Sequence, residues 1–217
     1  RRKNYQTIFA KNTGSIAAPT ASLHFTKRLI KKLEKAGHDI AFVTLHVGLG
    51  TLAPLTAENL SKGILHQEYY ELDKKDAAFL NKAKKQGIPI IAVGTTVVRT
   101  LESACSRSNL RQGLTLAKVR PWRGKTDLFI QPGYQFKFVD HLITNFHVPQ
   151  SSLMILVAAF LEEQHFYPLL RKGKVVAVVP LLYKEGLGEV ILGRKVLLSL
   201  YQHAIRHNFR FFSFGDG

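Results

Sequence analysis

The apolar positions along the chain follow two periods, one typical of helices and one typical of strands. Residues 25–36 carry an apolar stripe with helical spacing, and Gly37 follows as a stop. The same reasoning predicts helices at 73–86, 97–106, 151–163 and 193–207. Strands are predicted at 40–47, 68–72, 88–93, 128–130, 139–146, 174–182 and 209–214. Strands that alternate with helices indicate an α/β fold.

One long segment, 107–125, interrupts this alternation. It is rich in Gly, Arg and Pro and contains Trp122, which predicts a loop. The longest uninterrupted apolar run, 153–161, is shorter than the roughly 20 residues of a membrane-spanning helix, so we expect no membrane span. The first residues also lack the basic start, apolar stretch and cleavage site of a signal peptide.

The balance of charged residues narrows the choice of partners. The 217 residues include 31 Lys and Arg against 15 Asp and Glu, which gives a net charge of +16. Phosphates favour clustered cations through counterion release, so nucleic acid is the first partner to consider. A solvated surface and an affinity for anionic membranes are the alternatives. Because 46% of the residues are hydrophobic, we expect a folded core.

The cysteine and methionine content adds two expectations. A single cysteine, Cys105, excludes an internal disulfide and a zinc site built from cysteines. We therefore expect a cytoplasmic protein. The chain begins with Arg1 and has its only methionine at Met154, so we expect it to be a piece of a longer gene product.

Three segments share one design, in which a predicted strand runs into small and polar residues before a helix begins. Ligands of α/β sheets lie beyond the carboxyl ends of the strands, where helix N-termini offer free N–H groups. We therefore predict that the three segments line one cleft. Their candidate residues are His46, Gly48, Gly50 and Thr51, then Gly94, Thr95, Thr96, Arg99 and Glu102, and then Asn145 and His147.

Each segment also has a purely structural interpretation. Gly-x-Gly is common in turns, and the 94–96 turn could simply cap the helix that follows. His147 could be a core histidine bonded to backbone. Arg99 and Glu102, three apart on one helix face, could form a surface pair. Only the combination of the three segments favours a ligand site.

A fourth segment, 17–26, places small residues, Thr20 and His24 just before a helix. Small side chains let a ligand approach the backbone closely. The alternative is a tight connection in which Thr26 caps the helix.

A further candidate pair is His66 and Glu68, which lie two residues apart. On an extended strand they would share one face, where such a pair can serve acid–base chemistry or bind a metal. No third ligand follows at a recognisable spacing, so we expect no metal site.

Ordered motifs along the chain are shared with one known family. They lie at 5–10, 17–26, 46–51, 66–69, 94–102, 126–130 with 132–134, 144–153 and 209–216. On these motifs the chain closely resembles the S-adenosylmethionine:tRNA ribosyltransferase-isomerases of queuosine biosynthesis, the QueA family. Three positions depart from the family pattern, which typically has Ser in place of Val97, Leu in place of Val148 and Ser in place of Gln67.

The resemblance also implies a domain organisation. We expect residues 1–217 to form a layered α/β catalytic domain with a mixed sheet and an insertion at about 161–192. Family members begin with further strands and a small β-barrel domain, which we expect this chain to lack. We expect the protein to be a monomer.

The resemblance implies an enzyme that consumes S-adenosylmethionine as a co-substrate and needs no true cofactor. The ribosyl group of S-adenosylmethionine would pass to 7-aminomethyl-7-deazaguanine at the wobble position of a tRNA with a GUN anticodon. The product would be epoxyqueuosine, and adenine and methionine would leave. The sulfonium makes the ribose 5′ carbon acidic, so the reaction needs a general base, an acid for adenine and a pocket poor in water.

The resemblance brings several residues forward for these roles. The titratable histidines in the matching motifs are His24, His46, His66 and His147, and His46 or His147 is expected to transfer protons. Glu68 or Glu102 would hold the sulfonium or the ribose hydroxyls. Thr95 and Thr96 would bind the methionine carboxylate beside a helix N-terminus, with Arg99 as the alternative.

Contacts to tRNA are expected from the lysine-rich helix at 73–86 and from residues 107–123. Trp122 or Tyr134 could stack on an exposed anticodon base, whereas the alternative makes Trp122 a core anchor. Two other functions remain open, a non-catalytic remnant that binds tRNA weakly and a Rossmann-type methyltransferase. A Rossmann-type methyltransferase would carry an early Gly-x-Gly-x-x-Gly turn with an acidic residue about 20 positions further on, and this sequence has no such turn.

Overall fold

The computed structural model describes residues 5–11, 14–48, 55–106, 117–166 and 190–211. In these ranges the helices are α1 (Lys27–Lys35), α2 (Ala57–Lys62), α3 (Lys74–Lys85), α4 (Thr95–Ala104), α5 (Ser152–Phe166) and α6 (Val190–Arg206). The strands are β1 (Thr44–His46), β2 (Ile64–Leu72), β3 (Ile91–Val93), β4 (Cys105–Ser106), β5 (Lys118–Val119), β6 (Trp122–Leu128) and β7 (His141–Ile143). A short 3-10 helix, Thr20–His24, precedes α1.

Local capping explains where the helices begin. The side chain of Thr26 accepts a hydrogen bond from the N–H of Leu29 at the start of α1, and Asp73 accepts one from Asp76 at the start of α3. Both helices were predicted within about two residues. Helix α2 was not predicted, because its six residues carry no apolar stripe; a capping box between Thr56 and Asn59 starts it.

The described strands form three small sheets. One is antiparallel with the order β1-β2-β6, one is the parallel pair β3-β7, and one is the antiparallel pair β4-β5. The α/β class is therefore confirmed. Within the described ranges, however, parallel and antiparallel pairs lie in separate sheets, so one mixed sheet is not what these residues form.

The loop predicted at 107–125 is wrong over its last residues. Lys118–Val119 forms β5, and Trp122–Leu128 forms β6, whose Trp122 pairs with Leu72 of β2. The strand predicted at 128–130 thus begins six residues earlier and ends at Leu128. Arg, Gly and Lys in β6 give no apolar alternation, so only pairing with β2 makes this segment a strand.

Other predictions are only partly covered by the described residues. Residues 107–116, the predicted strand 174–182 and the part 167–189 of the expected insertion lie outside them. Helices α5 and α6 continue into the 161–192 region from its two sides. At 209–211 the chain is not a strand, and 212–214 are outside the described residues.

Helix α4 is the centre of the core. Its Val98, Thr100 and Leu101 are buried, and it contacts β2, β3, β6 and α5. Leu72 of β2 and Phe138 are buried in the same cluster. Because α4 is enclosed, its charged residues Arg99 and Glu102 are buried as well, which demands partners for both.

Helices α5 and α6 pack closely at Gly193. A Cβ on Gly193 would lie 3.0 Å from Cβ of Glu162 and closer still to the carbonyl oxygen of Ala158. Glycine is therefore needed here for the approach of the two helices. Among the described helices, none is both long and apolar enough to cross a membrane.

Candidate active site

The carboxyl ends of β3 and β7 lie side by side because these strands run parallel, with Val93 opposite Ile143. The N–H of Gly94 donates to the carbonyl of Ile143 at 2.8 Å. Gly94 leads into α4, and Ile143 leads into Thr144 and Asn145. Two of the three predicted segments therefore meet at one edge, as parallel strands require.

The fourth predicted segment joins this edge. Nε2 of His24 lies 3.0 Å from Nδ2 of Asn145, although the two residues are 121 positions apart in the chain. A Cβ placed on Gly94 would lie 3.9 Å from Cβ of Ala21. Thr20, which opens the 3-10 helix, is half-buried. The geometry supports the prediction that the segment 17–26 belongs to the candidate site.

A cavity opens between these segments. Its volume is about 230 Å³, and it is lined by Ala21, His24, Phe25, Ile143, Thr144 and Asn145. The lining combines apolar side chains with an imidazole, a hydroxyl and an amide, as small-molecule sites commonly do. We call this space and its lining the edge cavity.

Helix α4 begins beside the edge cavity without a side-chain cap. Its N-cap is Gly94, whose φ of 98° is in the left-handed region that favours glycine. Thr95 is buried and Thr96 is half-buried in the first turn. The 94–96 turn does start the helix, as its structural interpretation predicted, but no side chain of the turn accepts a hydrogen bond from the helix N-terminus. A helix N-terminus without a cap suits an anionic group.

His147 lies next to the edge cavity and is held on both sides. Its Nε2 is 3.0 Å from Oγ1 of Thr144, and its backbone N–H and carbonyl both bond to the hydroxyl of Tyr201 on α6. Phe146 packs edge-on against the Tyr201 ring at 5.0 Å. Burial lowers the pKa of His147 to about 4. The imidazole is therefore neutral at neutral pH.

Tyr201 was missed by sequence reasoning. It sits in a helix recognised only by its apolar stripe, and nothing in that pattern distinguishes a tyrosine that packs from one that donates a hydrogen bond. Its contact with His147 spans 54 residues of sequence. Only the tertiary structure shows that α6 helps to hold the loop after β7.

Arg99 and Glu68 form a buried ion pair between α4 and β2. Their side chains are 3% and 1% exposed. Nη1 of Arg99 bonds to Glu68, and Nε donates to the carbonyl of Leu128 at 3.1 Å. The atom Nη2 is buried and makes no hydrogen bond to any described residue. Arg99 is thus no surface residue, and its partner is Glu68 and not Glu102.

Glu102 is surrounded by donors from one loop. It accepts hydrogen bonds from the N–H groups of Lys137, Phe138 and Val139 at 2.9–3.0 Å. The hydroxyl of Tyr134 donates to it at 3.2 Å. These four bonds favour a structural role for Glu102. Its binding to substrate stays a prediction, as do the substrate roles of Arg99 and Glu68.

His46 lies on the face of the antiparallel β1-β2-β6 sheet that is opposite to Glu68. It pairs with Tyr69 across β1 and β2, with ring centroids 5.5 Å apart. Tyr69 directly follows the buried Glu68, and neighbouring strand residues point to opposite faces. His46 and Glu68 are therefore separated by the sheet. Gly48 is half-buried after β1, whereas Gly50 and Thr51 lie outside the described residues.

The expectation that His66 and Glu68 share a face is wrong. His66 is exposed and Glu68 is buried. The register between β2 and β6 shifts between Ile64 and Glu68, and such a bulge breaks the two-residue alternation. No group of three or more His, Cys, Asp or Glu that could hold a metal occurs in the described part of the chain.

Two carboxylates of α5 support the loop that Glu102 holds. Glu162 accepts a hydrogen bond from the N–H of Gly133, and Glu163 accepts one from the N–H of Phe136 at 3.1 Å. Burial, and next the nearby charge of Glu102, raise the pKa of Glu163 to about 7. Near neutral pH, Glu163 is therefore poised between its two protonation states.

The raised pKa of Glu163 predicts a stability that depends on pH. Above pH 7 the folded state carries an ionised, half-buried carboxylate, while below about pH 5 the carboxyl is neutral in the folded state at little cost. The contribution of Glu163 to the free energy of unfolding therefore rises as the pH falls from about 7 to about 5. We expect Glu163→Gln to stabilise the protein by about 1–2 kcal/mol at pH 8, after allowing for solvent screening, and by much less at pH 5.

Urea unfolding of the wild type and of Glu163→Gln at the two pH values measures this difference. Subtracting the free energy of unfolding of the wild type from that of the variant removes the contributions of the other titrating groups, which the two proteins share. A difference that is the same at pH 5 and pH 8 would contradict the assignment.

Comparison with known proteins defines the class of this chain. A family model described as "Queuosine biosynthesis protein" matches residues 1–172, which is most of the chain. The chain therefore belongs to the queuosine biosynthesis protein family, and the resemblance seen in the motifs is confirmed.

Two curated relatives are similar over nearly the whole chain. An S-adenosylmethionine:tRNA ribosyltransferase-isomerase from Carboxydothermus hydrogenoformans is 44% identical over 214 residues, which is 99% of this chain and 52% of that protein. A protein of the same name from Natranaerobius thermophilus is 42% identical over 214 residues, or 99% of this chain and 51% of the relative. The chain thus spans about half the length of these relatives.

Proposed function

We propose that this chain carries the catalytic site of an S-adenosylmethionine:tRNA ribosyltransferase-isomerase. In this reaction the ribosyl group of S-adenosylmethionine is transferred to 7-aminomethyl-7-deazaguanine at the tRNA wobble position and isomerised to epoxyqueuosine. Adenine and methionine are released. The observation that carries the proposal is the edge cavity, where His24, Asn145 and the uncapped start of α4 converge.

The start of α4 suits the amino-acid part of S-adenosylmethionine. A carboxylate placed at the N–H groups of Thr95 and Thr96 would gain both hydrogen bonds and the favourable end of the helix dipole. Because residue 94 is a glycine, no side chain at this position shields the turn. Arg99 is a weaker candidate for the carboxylate, because Glu68 already pairs with it in the buried interior.

Two histidines near the cavity differ in their fitness for proton transfer. His147 is a weak base, since burial holds its pKa at about 4. His24 lines the edge cavity with an exposed side chain, and Asn145 orients its ring. We therefore assign removal of the ribose 5′ proton to His24. His147 serves as a neutral imidazole that positions Thr144.

His46 is less suited to this role than the sequence indicated. It lies on the opposite face of the β1-β2-β6 sheet from Glu68, and its ring packs at a tilt against that of Tyr69. Among the described residues, His46 does not line the edge cavity, although the neighbouring Val47 accepts a hydrogen bond from the N–H of Ile16, just before the segment 17–26. A direct part for His46 in the same cavity is therefore not included in the proposal.

The proposal is tested by following the fate of S-adenosylmethionine. The chain is incubated with S-adenosylmethionine and a tRNA that carries the aminomethyl base, with the Carboxydothermus relative as positive control. Release of adenine and methionine is expected. Formation of S-adenosylhomocysteine would instead indicate methyl transfer. Turnover by the relative and none by this chain would leave the non-catalytic alternative.

A single substitution tests the assignment of His24. Glutamine can keep the hydrogen bond to Asn145 but cannot accept a proton, so His24→Gln is expected to lower kcat about 100-fold or more with little change in KM. The control is His141→Gln, which changes an exposed histidine at the start of β7. Equal activity of the two variants would remove His24 from the catalytic role.

A further inference from the structure

We propose that Trp122 is a stacking platform for one unpaired RNA base, held within a basic ridge. The ridge consists of Trp122 and Gly124 together with the exposed cations Lys118, Arg120, Arg123 and Lys125. This inference rests on the proposed function, because that function makes RNA a substrate. It adds the surface and the side chain by which the RNA is held.

The indole ring lies directly over Gly124. A Cβ on Gly124 would lie 3.0 Å from Cε2 and 3.3 Å from Cζ2 of Trp122, and closer still to Nε1. Trp122 is nevertheless 54% exposed, so it is not a core anchor. One part of the ring is supported by backbone that lacks a side chain, and a large part remains open to a ligand.

The backbone that carries the ridge is fixed before any ligand binds. Val119 is buried, and its N–H and carbonyl bond to the side-chain amide of Asn81 at 2.9 and 2.8 Å. The N–H of Arg120 donates to the carbonyl of Ala104 at 3.0 Å. From Trp122 onwards, β6 pairs with β2. This backbone therefore loses little conformational entropy when a ligand binds, which favours affinity.

The charge around the ring favours a polyanion. Four exposed cations lie within the eight residues 118–125, and the whole chain carries +16. Glu71 pairs with Arg123, and the exposed Asp127 follows Lys125 by two residues. Trp122 and Gly124 lie on one face of β6, and Arg123 and Lys125 lie on the other face of the same strand, which is at an edge of its described sheet. A single-stranded nucleic acid that stacks a base on the ring can therefore pass its phosphates over this edge to the cations.

The alternative reading of Tyr134 as the stacking residue is not supported. Its hydroxyl donates to Glu102, its ring packs edge-on against Phe136 at 5.1 Å, and it is only partly exposed. A base would have to displace these contacts to reach its ring. Trp122 requires no such rearrangement.

The chain supplies its own probe, since Trp122 is its only tryptophan. Stacking of a base on the indole is expected to quench its fluorescence when a tRNA anticodon stem-loop is added. A duplex RNA of the same length, which has no unpaired bases, is expected to bind more weakly and to quench less. Equal quenching by both RNAs would overturn base stacking.

Substitutions give the second measurement, the Kd for a labelled anticodon stem-loop by fluorescence anisotropy. Trp122→Ala is expected to raise Kd about tenfold or more, and Trp122→Phe to raise it less. Gly124→Ala should also weaken binding, because its methyl group displaces the indole. The control is Phe42→Ala, a half-exposed aromatic ring just before β1, at the opposite edge of the same sheet.

Salt dependence separates the ring from the cations. Arg120→Gln and Lys125→Gln are each expected to lower the slope of log Kd against log salt by up to about 1, whereas Trp122→Ala should leave the slope unchanged. Urea midpoints confirm that each variant is folded. Wild-type affinity in both Trp122→Ala and Gly124→Ala would overturn the platform alone, whereas a wild type that binds no tRNA would overturn the proposed function as well.

Discussion

Replacing Glu68 by glutamine is expected to lower the free energy of unfolding by about 3–5 kcal/mol. The reason is that Arg99, which is 3% exposed, would remain charged in the interior with no opposite charge beside it. Glutamine keeps the shape of the side chain, so packing changes little. Urea unfolding monitored by circular dichroism measures the loss.

A matched control lies on the same strand. Glu71 pairs with Arg123, whose side chain is 68% exposed. Because water screens such a pair, Glu71→Gln is expected to cost less than about 1 kcal/mol. Equal losses of stability in the two variants would show that burial of the Glu68–Arg99 pair does not account for its contribution to the free energy of unfolding.

A double variant separates stability from catalysis. Removing both charges, with Glu68→Leu and Arg99→Met, takes away the uncompensated charge and should restore much of the lost stability. If the pair is purely structural, this double variant should keep turnover. Loss of turnover in a stable double variant would instead support the predicted roles of Glu68 and Arg99 in substrate binding.

The second large effect is expected for Glu102→Gln, at about 2–4 kcal/mol. One carboxylate oxygen accepts from Phe138 and Val139, and the other accepts from Lys137 and Tyr134. An amide turns one of these acceptors into a donor. In one orientation of the amide the N–H groups of Phe138 and Val139 face its NH₂ group, and in the other the N–H of Lys137 does, while the hydroxyl of Tyr134 can turn and accept.

Hydrogen exchange locates this effect. The amides of residues 137–139 should lose protection in Glu102→Gln, in addition to a lower urea midpoint. In Glu163→Gln, by comparison, a single N–H donor faces both carboxylate oxygens, so the amide oxygen can keep that bond. A cost below about 1 kcal/mol for Glu102→Gln would show that the loop does not depend on this carboxylate.

The carboxylate of Glu102 also links stability to the candidate site. The segment that it holds continues into β7, where the N–H groups of Asp140 and His141 bond to the carbonyl of Ile90. Strand β7 in turn places Asn145 at the edge cavity. The C-terminal part of α4 therefore fixes one wall of the cavity, while its first turn forms the neighbouring surface.

Much of the secondary structure followed from local patterns. Helix α1 was predicted from its apolar spacing and from Gly37, and α3 from its lysine-rich composition and from Gly87, and all of these are local features of the sequence. Strand β6 was predicted only at its last residue, Leu128, because Trp122, Arg123 and Gly124 show no alternation that a short window could detect. Its strand conformation depends on hydrogen bonds to β2, whose paired residues lie 50 or more positions earlier.

The candidate site was predicted in part. The segments around Gly94 and Asn145 were expected to meet and do so, because parallel strands bring their carboxyl ends to one edge. The segment around His24 was a separate candidate, and only the structure shows that it joins them. The placement of His46 was not foreseen, since a residue's face depends on the sheet that it joins. The exposed His66 shows the same limit, because a bulge in β2 reversed the expected alternation.

The sequence by itself determined the family, the α/β class and the residues that the matching motifs bring forward. Motifs and periodicity are local features, and they can be recognised without knowledge of tertiary contacts. The tertiary structure alone decided which charges are paired, which histidine faces the edge cavity and that Trp122 is exposed on Gly124. These properties depend on burial and on partners distant in the chain, such as Arg99 and Glu68, which a one-dimensional pattern does not encode.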